Sequence, residues 1–250
     1  ITGRVKETGE YTVRLSAENA LGRYERDLRI VVGDEIALTP PMGWNSWNCW
    51  ARDVTQEQIL SSARAMVEKG LADHGWSYIN IDDGWQGRRG GRYNAIQPNK
   101  KFPDMAALTR EIHDMGLRVG IYSTPWIGTY AAHIGSYSDR PDGENEWIEK
   151  GLHNENYRYQ KPGGNYWEDR CEVWHHGPYS FVEADVKQWA EWGIDYLKYD
   201  WHPLNYYHVR EMFDMLRKID RDIIFSLSNS APYGDAPVWQ RYANCWRTTG

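Results

Sequence analysis

A lysine and an aspartate two residues apart, at the end of an apolar run, are the side chains of this 250-residue chain with the clearest chemical potential. They lie in Trp192-Gly193-Ile194-Asp195-Tyr196-Leu197-Lys198-Tyr199-Asp200-Trp201, which reads as a strand. Side chains on a strand alternate between faces, so Lys198 and Asp200 share one face while Leu197 and Tyr199 share the other. An ammonium beside a carboxylate favours the ionised form. A carboxylate held in that way at the C-terminal end of a strand suits a nucleophile at the mouth of a parallel barrel. An ordinary buried ion pair is the alternative reading of this stretch.

The C-terminal ends of the other strand-like runs contribute Trp47, Asp82, Asp83, Tyr122, Ser228 and Arg247. With Lys198 and Asp200 these residues come from six runs, and they meet only if the runs close into a barrel. Several carboxylates, one lysine, one arginine and flanking aromatics would make a pocket for a polyhydroxylated ring. Asp82 and Asp83 could accept hydrogen bonds from two hydroxyls, and Trp47 could stack on the ring. Each also has a plainer reading: a helix cap for either aspartate, core filler for Trp47, a structural salt bridge for Arg247. Composition leans toward sugars, because 14 Trp and 17 Tyr stand against 4 Phe, and aromatics with a polar handle suit ligands that are apolar on one face and hydroxylated at the edge. A Trp-rich core would account for the same count. Histidines 175, 176, 202 and 208 lack a third ligand at metal-binding spacing, so no metal and no cofactor is expected. Three scattered cysteines, Cys49, Cys171 and Cys245, exclude a disulfide framework and leave room for one bridge at most.

The elements that must position these residues follow in order. Residues 10–18 alternate, with Tyr11, Val13, Leu15 and Ala17 on one face, and a second run through Leu28, Ile30 and Val32 repeats the pattern. This predicts a β-hairpin with one buried face, too small to stand alone, and Gly33-Asp34-Glu35 is a short linker. From Leu38 strands and helices alternate. Thr55 and Gln58 form a capping-box start before a stripe of Ile59, Ala63, Met66 and Val67; Asp104 caps a second helix; Ser180 with Glu183 opens a third. Such alternation with mostly apolar strands argues for a parallel sheet with helices outside, an α/β fold. An eight-unit barrel takes about 250 residues, and roughly six units fit here, so the expectation is an incomplete (β/α)8 TIM barrel over residues 38–250. A doubly wound sheet is the runner-up, but no glycine-rich phosphate fingerprint follows the first strand. Gly84, Gly87, Gly90 and Gly91 read as a flexible loop. Residues 123–179 form an insertion too long for an ordinary loop; its many Trp and Tyr would line the leaving-group side of a site or pack into a subdomain of their own.

The net charge of −6 and the lack of a basic stripe argue against nucleic acid as a partner. No run of 18 apolar residues occurs, so no membrane span is expected. The start, Ile1-Thr2-Gly3-Arg4, shows neither an initiator methionine nor a signal pattern, and the expectation is that the chain begins inside a longer one.

Five motifs in order, Thr39-Pro40-Pro41-Met42-Gly43-Trp44-Asn45-Ser46-Trp47, Ile81-Asp82-Asp83-Gly84-Trp85, Gly120-Ile121-Tyr122, Tyr196-Leu197-Lys198-Tyr199-Asp200 and Trp246-Arg247, resemble glycoside hydrolase family 27, the α-galactosidases and α-N-acetylgalactosaminidases. The resemblance covers Leu38 to Gly250 apart from the insertion. It implies a retaining, exo-acting hydrolase of terminal α-linked galactose, with a carbohydrate as its partner. Carried over residue by residue, Asp200 is the nucleophile; Asp82, Asp83 and Lys198 hold sugar hydroxyls; Trp47 and Tyr122 line the ring; Arg247 contacts the substituent at carbon two. The family's acid/base would be the residue immediately after Gly250. Relatives often carry a cysteine after the nucleophile, bridged to the loop after strand three; this chain has Trp201 there, so that bridge is not expected. In the loop after strand five, Ser228 and Ala231 match the spacing of the N-acetylgalactosaminidases, which makes that activity the alternative, although Asn229-Ser230 replaces the usual Trp-Pro. A non-catalytic sugar-binding barrel is the alternative of another class. Residues 1–34 look like the last strands of the immunoglobulin-like modules that precede bacterial glycosidases, and the family implies a secreted or periplasmic location.

Overall fold

The structure, a computed structural model, describes residues 5, 7–145 and 173–249. It forms two compact units, Ile1–Leu38 and Thr39–Gly250. In the first, β1 (Gly9–Asn19) and β2 (Gly22–Val32) pair antiparallel from Gly9↔Val32 to Asn19↔Gly22. The alternation sorts the side chains as expected. Tyr11, Val13 and Leu15 lie on one face, and Arg14–Asp27 at 2.9 Å and Arg29–Glu10 at 2.6 Å join the strands on the other. The expected burial is not found: Val13 and Leu28 are 39% and 41% exposed, because two strands have no second layer to cover their apolar face.

The second unit is built on six parallel strands: β3 (Gly43–Asn45), β4 (Tyr78–Asn80), β7 (Arg118–Ser123), β10 (Tyr196–Asp200), β11 (Ile224–Ser228) and β12 (Cys245–Trp246). Each pairs in parallel with the next in the chain. That one-way order is how a barrel grows; a doubly wound sheet reverses its order at a switch point. The helices between strands are α2 (Gln56–Glu68), α3 (Met105–Asp114), α4 (Val182–Trp192), α5 (Tyr206–Leu216) and α6 (Ala236–Tyr242), with one turn, α1 (Trp47–Trp50), after β3. Thr55 and Gln58 make the reciprocal capping box of α2, and Asp104 caps α3 through the Ala107 N–H at 2.8 Å. On α2 the buried stripe is Ile59, Leu60, Ala63 and Met66, while Val67 stays 41% exposed.

Several boundaries differ from expectation. Ser180 makes no box with Glu183: its hydroxyl donates to Glu211 at 2.6 Å, Glu183 pairs with Lys187 at 2.6 Å, and Phe181 occupies the cap position. The glycine-rich stretch after β4 is an ordered hairpin, β5 (Gln86–Gly90) with β6 (Ala95–Pro98). Its turn uses left-handed Gly91 and Asn94, and Arg89 anchors it to buried Asp185 on α4 at 2.7 Å. Within the insertion, β8 (Tyr137–Ser138) pairs with β9 (Tyr179–Ser180), and most of residues 123–138 are buried. Trp147, Tyr157, Tyr159, Tyr166, Trp167 and Cys171 lie outside the described residues.

Apolar side chains of β4, β7, β10 and β11 meet α2 to α5 in one core containing Ile79, Val119, Leu197, Phe225, Ile112, Val186 and Met212. Inside the sheet the approach is tight at Gly120, where an added Cβ would stand 1.9 Å from Asn80 Oδ1. At the N-terminal end of the strands Asp195 accepts from the Val119 N–H at 2.9 Å and pairs with His113 at 2.7 Å and Arg221 at 2.6 Å. This network ties β7, β10 and α3 together at the end opposite Asp200, where barrel residues serve stability.

Candidate active site

Strand register brings the central groups together. Lys198 of β10 is the cross-strand partner of Tyr122 on β7, and Asp200 that of Ser228 on β11. The Lys198 ammonium stands 2.9 Å from Asp82 Oδ2, 3.7 Å from Asp200 Oδ2 and 5.2 Å from the Tyr122 ring centre. Asp82 is held from the β3 side as well: Asn45 Nδ2 donates to its Oδ2 at 2.7 Å, and its own N–H donates to Ser46 Oγ at 2.9 Å. Neither Asn45 nor Ser46 was picked out from sequence, although both lie inside the Trp44-Asn45-Ser46-Trp47 motif and adjoin a singled-out residue.

Asp200 is 5% exposed. Burial pushes its carboxyl above the usual range; Lys198 is the main opposing influence, Asp82 raises it further, and Arg247 and the Ser228 hydroxyl pull it back. Burial also acts against the Lys198 ammonium, yet Asp82 and Asp200 outweigh it and hold the group above its ordinary value. The site thus keeps one half-buried cation between two buried carboxylates. Asp200 Oδ1 and the Tyr122 hydroxyl are buried without a hydrogen-bond partner among the described residues.

Asp83 is turned to a different task from its neighbour. Its Oδ1 accepts from the Thr129 hydroxyl and its Oδ2 from the Ala131 N–H, both at 2.7 Å. Burial pushes it up to about 7 even against those two bonds. Trp47 does not end a strand; it opens α1, half-buried, with its N–H on Asn45 Oδ1 at 2.9 Å. Arg247 is exposed, donates to Asn229 Oδ1, and is joined through its carbonyl to the Ala231 N–H at 2.8 Å. Ser228 and Ala231 are both buried. Between them Asn229 and Ser230 have φ of 64° and 51°, a conformation closed to proline, so a Trp-Pro pair could not follow this backbone. Cys49 and Cys245 are free thiols. Among the described residues no three His, Cys, Asp or Glu side chains are grouped to hold a metal ion, and no helix is long and apolar enough to cross a membrane.

Comparison with known proteins shows what the chain as a whole is similar to. Residues 39–157 match the family described as Alpha galactosidase A (Melibiase_2). Alpha-galactosidase A of Cellvibrio japonicus is 34% identical over 228 residues, 87% of this chain and 45% of that protein. Alpha-galactosidase of Coffea arabica is 31% identical over 228 residues, 89% of this chain and 50% of that protein. The solved structure of alpha-galactosidase I from Mortierella vinacea superposes with a TM-score of 0.65 at 29% identity, over 88% of this chain and 47% of that one. The chain therefore spans about half the length of the curated relatives it matches. This structural neighbour implies a TIM-barrel-like fold, and the six-stranded parallel sheet is consistent with part of such a barrel. The match over residues 39–157 and the sequence relatives thus make this chain similar to the α-galactosidases.

Proposed function

We propose that this protein is a retaining, exo-acting α-galactosidase with Asp200 as its nucleophile. The observation that carries the reading is a buried carboxylate at the C-terminal end of β10, 3.7 Å from Lys198, with one oxygen unpartnered among the described residues. In this reaction an Asp200 oxygen attacks the anomeric carbon as the glycosidic bond breaks, and a carboxylic acid about 5–5.5 Å away protonates the leaving oxygen. Water, deprotonated by that second group, then cleaves the glycosyl ester with net retention. Lys198, Arg247 and Ser228 support the ionised state that attack requires. Asp82, fixed by Lys198 and Asn45, is proposed to receive a sugar hydroxyl, with Asp83 beside it and Trp47 and Tyr122 along the ring. Residues 1–34 are proposed to be the closing strands of an immunoglobulin-like module, in line with the half-exposed apolar face of the hairpin.

The test is the Asp200→Asn variant of the full-length protein on para-nitrophenyl α-galactoside, with the product anomer followed by NMR. Loss of nearly all turnover in the variant, and an initial α-anomer from the unsubstituted protein, are expected. An unchanged rate in Asp200→Asn, or an initial β-anomer, would refute the reading. Galactose binding without hydrolysis would instead leave the non-catalytic barrel. A second substrate, terminal α-linked N-acetylgalactosamine, is favoured by one observation: the small side chains Ser228 and Ala231 are both buried after β11, and the Ala231 N–H donates to the Arg247 carbonyl at 2.8 Å. Comparing kcat/KM for the two para-nitrophenyl glycosides decides between them, since sites built around one polar substituent discriminate strongly.

A further inference from the structure

Tyr130 belongs to the insertion, yet its position is set by the site. Its two chain neighbours, Thr129 and Ala131, are the residues bound to the two oxygens of Asp83, each at 2.7 Å. Its ring is fixed edge-on by Trp126 at 5.1 Å and by Trp174 at 5.2 Å; these indoles stack on each other at 6.0 Å, and Trp174 Nε1 donates to the Thr129 carbonyl at 2.8 Å. Backbone and ring are thus held by five contacts, from Asp83, Trp126 and Trp174. The hydroxyl is the exception: it is buried, on a residue only 7% exposed, and has no hydrogen-bond partner among the described residues.

A phenylalanine would fill the same aromatic slot without burying an unsatisfied hydroxyl, which is unfavourable. The location gives the hydroxyl a purpose. Ionisation of the phenol is opposed first by burial and then by the charge of Asp200, while Arg247 and the Asn229 amide, which is near the hydroxyl but not at hydrogen-bond geometry, favour it. Two other polar atoms of that region, Asp200 Oδ1 and the Tyr122 hydroxyl, are also buried and unpartnered. Three such atoms from β7, β10 and the insertion describe hydrogen-bonding capacity that a polyhydroxylated ligand would satisfy.

We propose that Tyr130 is a substrate-binding residue of this site, its hydroxyl hydrogen-bonded to a hydroxyl of the sugar ring seated on Asp200. The proposal rests on the galactoside reading above. The experiment uses the full-length protein and Tyr130→Phe, which removes one oxygen and keeps the ring between the two indoles. We expect kcat/KM on para-nitrophenyl α-galactoside to fall about tenfold, as loss of one hydrogen bond in a buried site entails, and the inhibition constant of galactose to rise. The rise in thermal midpoint produced by saturating galactose is measured on both proteins as well. It reports ligand binding by the folded fraction whatever the absolute stability of the variant, and it should shrink in Tyr130→Phe. Activity of the unsubstituted protein with a variant unchanged within twofold on all three measures overturns this inference alone. Inactivity of the unsubstituted protein on α-galactosides removes the galactoside reading, and this inference with it.

Discussion

Replacing Arg89 by methionine should cost more stability than any surface change in this chain. Arg89 and Asp185 are 2% and 0% exposed at their side chains. The guanidinium donates to Asp185 Oδ1 at 2.7 Å and Oδ2 at 3.2 Å, and to the Gly135 carbonyl at 2.6 Å; its planar carbon lies 4.3 Å from the Phe181 ring centre. Methionine fills much of the volume but leaves the Asp185 carboxylate, among the described residues, with the Ile96 N–H at 2.9 Å as its remaining hydrogen-bond donor. Breaking a buried pair from one side costs roughly 3–5 kcal/mol, and the orphaned Gly135 carbonyl adds about 1 kcal/mol. The sum rivals the whole stability of a typical domain, about 5–15 kcal/mol. Arg89→Lys should recover part of the loss, because an ammonium keeps the charge but cannot span both carboxylate oxygens and Gly135. Urea denaturation of the full-length protein and both variants is the assay. A loss below about 1 kcal/mol in Arg89→Met, the range of exposed pairs, would refute the claim that this ion pair anchors the β5–β6 hairpin to α4.

Lys198→Met should move the acidic limb of kcat/KM to higher pH, since the ammonium is the main influence holding Asp200 ionised; a limb that stays put would show that Lys198 does not govern that charge. Asp83 and His176 should give opposite pH trends in thermal midpoint. Asp83, raised from 3.8 to about 7, contributes stability at low pH that is lost as pH climbs to about 7. His176, lowered from 6.5 to about 4 mainly by burial, contributes stability above 6.5 that is lost as pH falls to about 4. Asp83→Asn and His176→Gln should each remove one of these slopes, and scans from pH 4 to 8 would expose a wrong sign in either. Gly120→Ala should destabilise by roughly 1–3 kcal/mol, because the new methyl meets Asn80 Oδ1 at 1.9 Å; a neutral result in denaturant titration would mean that β4 and β7 separate without strain.

What could be read in the sequence was whatever depends on short-range periodicity. Alternation alone put Lys198 and Asp200 on one face, and the structure has them 3.7 Å apart. Thr55 with Gln58 and Asp104 with the residue three further on are local hydrogen bonds, visible in composition at fixed spacing. Ser180 failed by the same logic: Glu211, 31 residues away, claimed its hydroxyl. The glycine-rich stretch after β4 became a hairpin because Arg89 finds Asp185 96 residues on, a partner that no local pattern announces. Tyr130 was legible only as one aromatic among many in a long insertion. Its place follows from Asp83, which binds the adjacent Thr129 across 46 residues of chain.

The pair Asp82-Asp83 shows why the site resists residue-by-residue reading. Two adjacent carboxylates following a short strand point to different surroundings, and here the surroundings decide what each can do. Asp82 receives Lys198 and Asn45 on one oxygen and its neighbour's N–H on the other, so it shares a cation with Asp200 and joins β3 to β10 at the site. Asp83 faces the insertion and spends both oxygens on Thr129 and Ala131. Burial then pushes Asp83 up to about 7, while the lysine beside Asp82 balances its charge. A substitution at Asp82 therefore acts on the charge of the site, whereas one at Asp83 acts on the placement of Tyr130. Asp82→Asn should alter the pH dependence of turnover through Lys198, and Asp83→Asn should weaken galactose binding in step with Tyr130→Phe. If the Asp83→Asn and Tyr130→Phe losses added in full when combined, the clamp from Asp83 to the insertion would not be the route by which Asp83 serves the site.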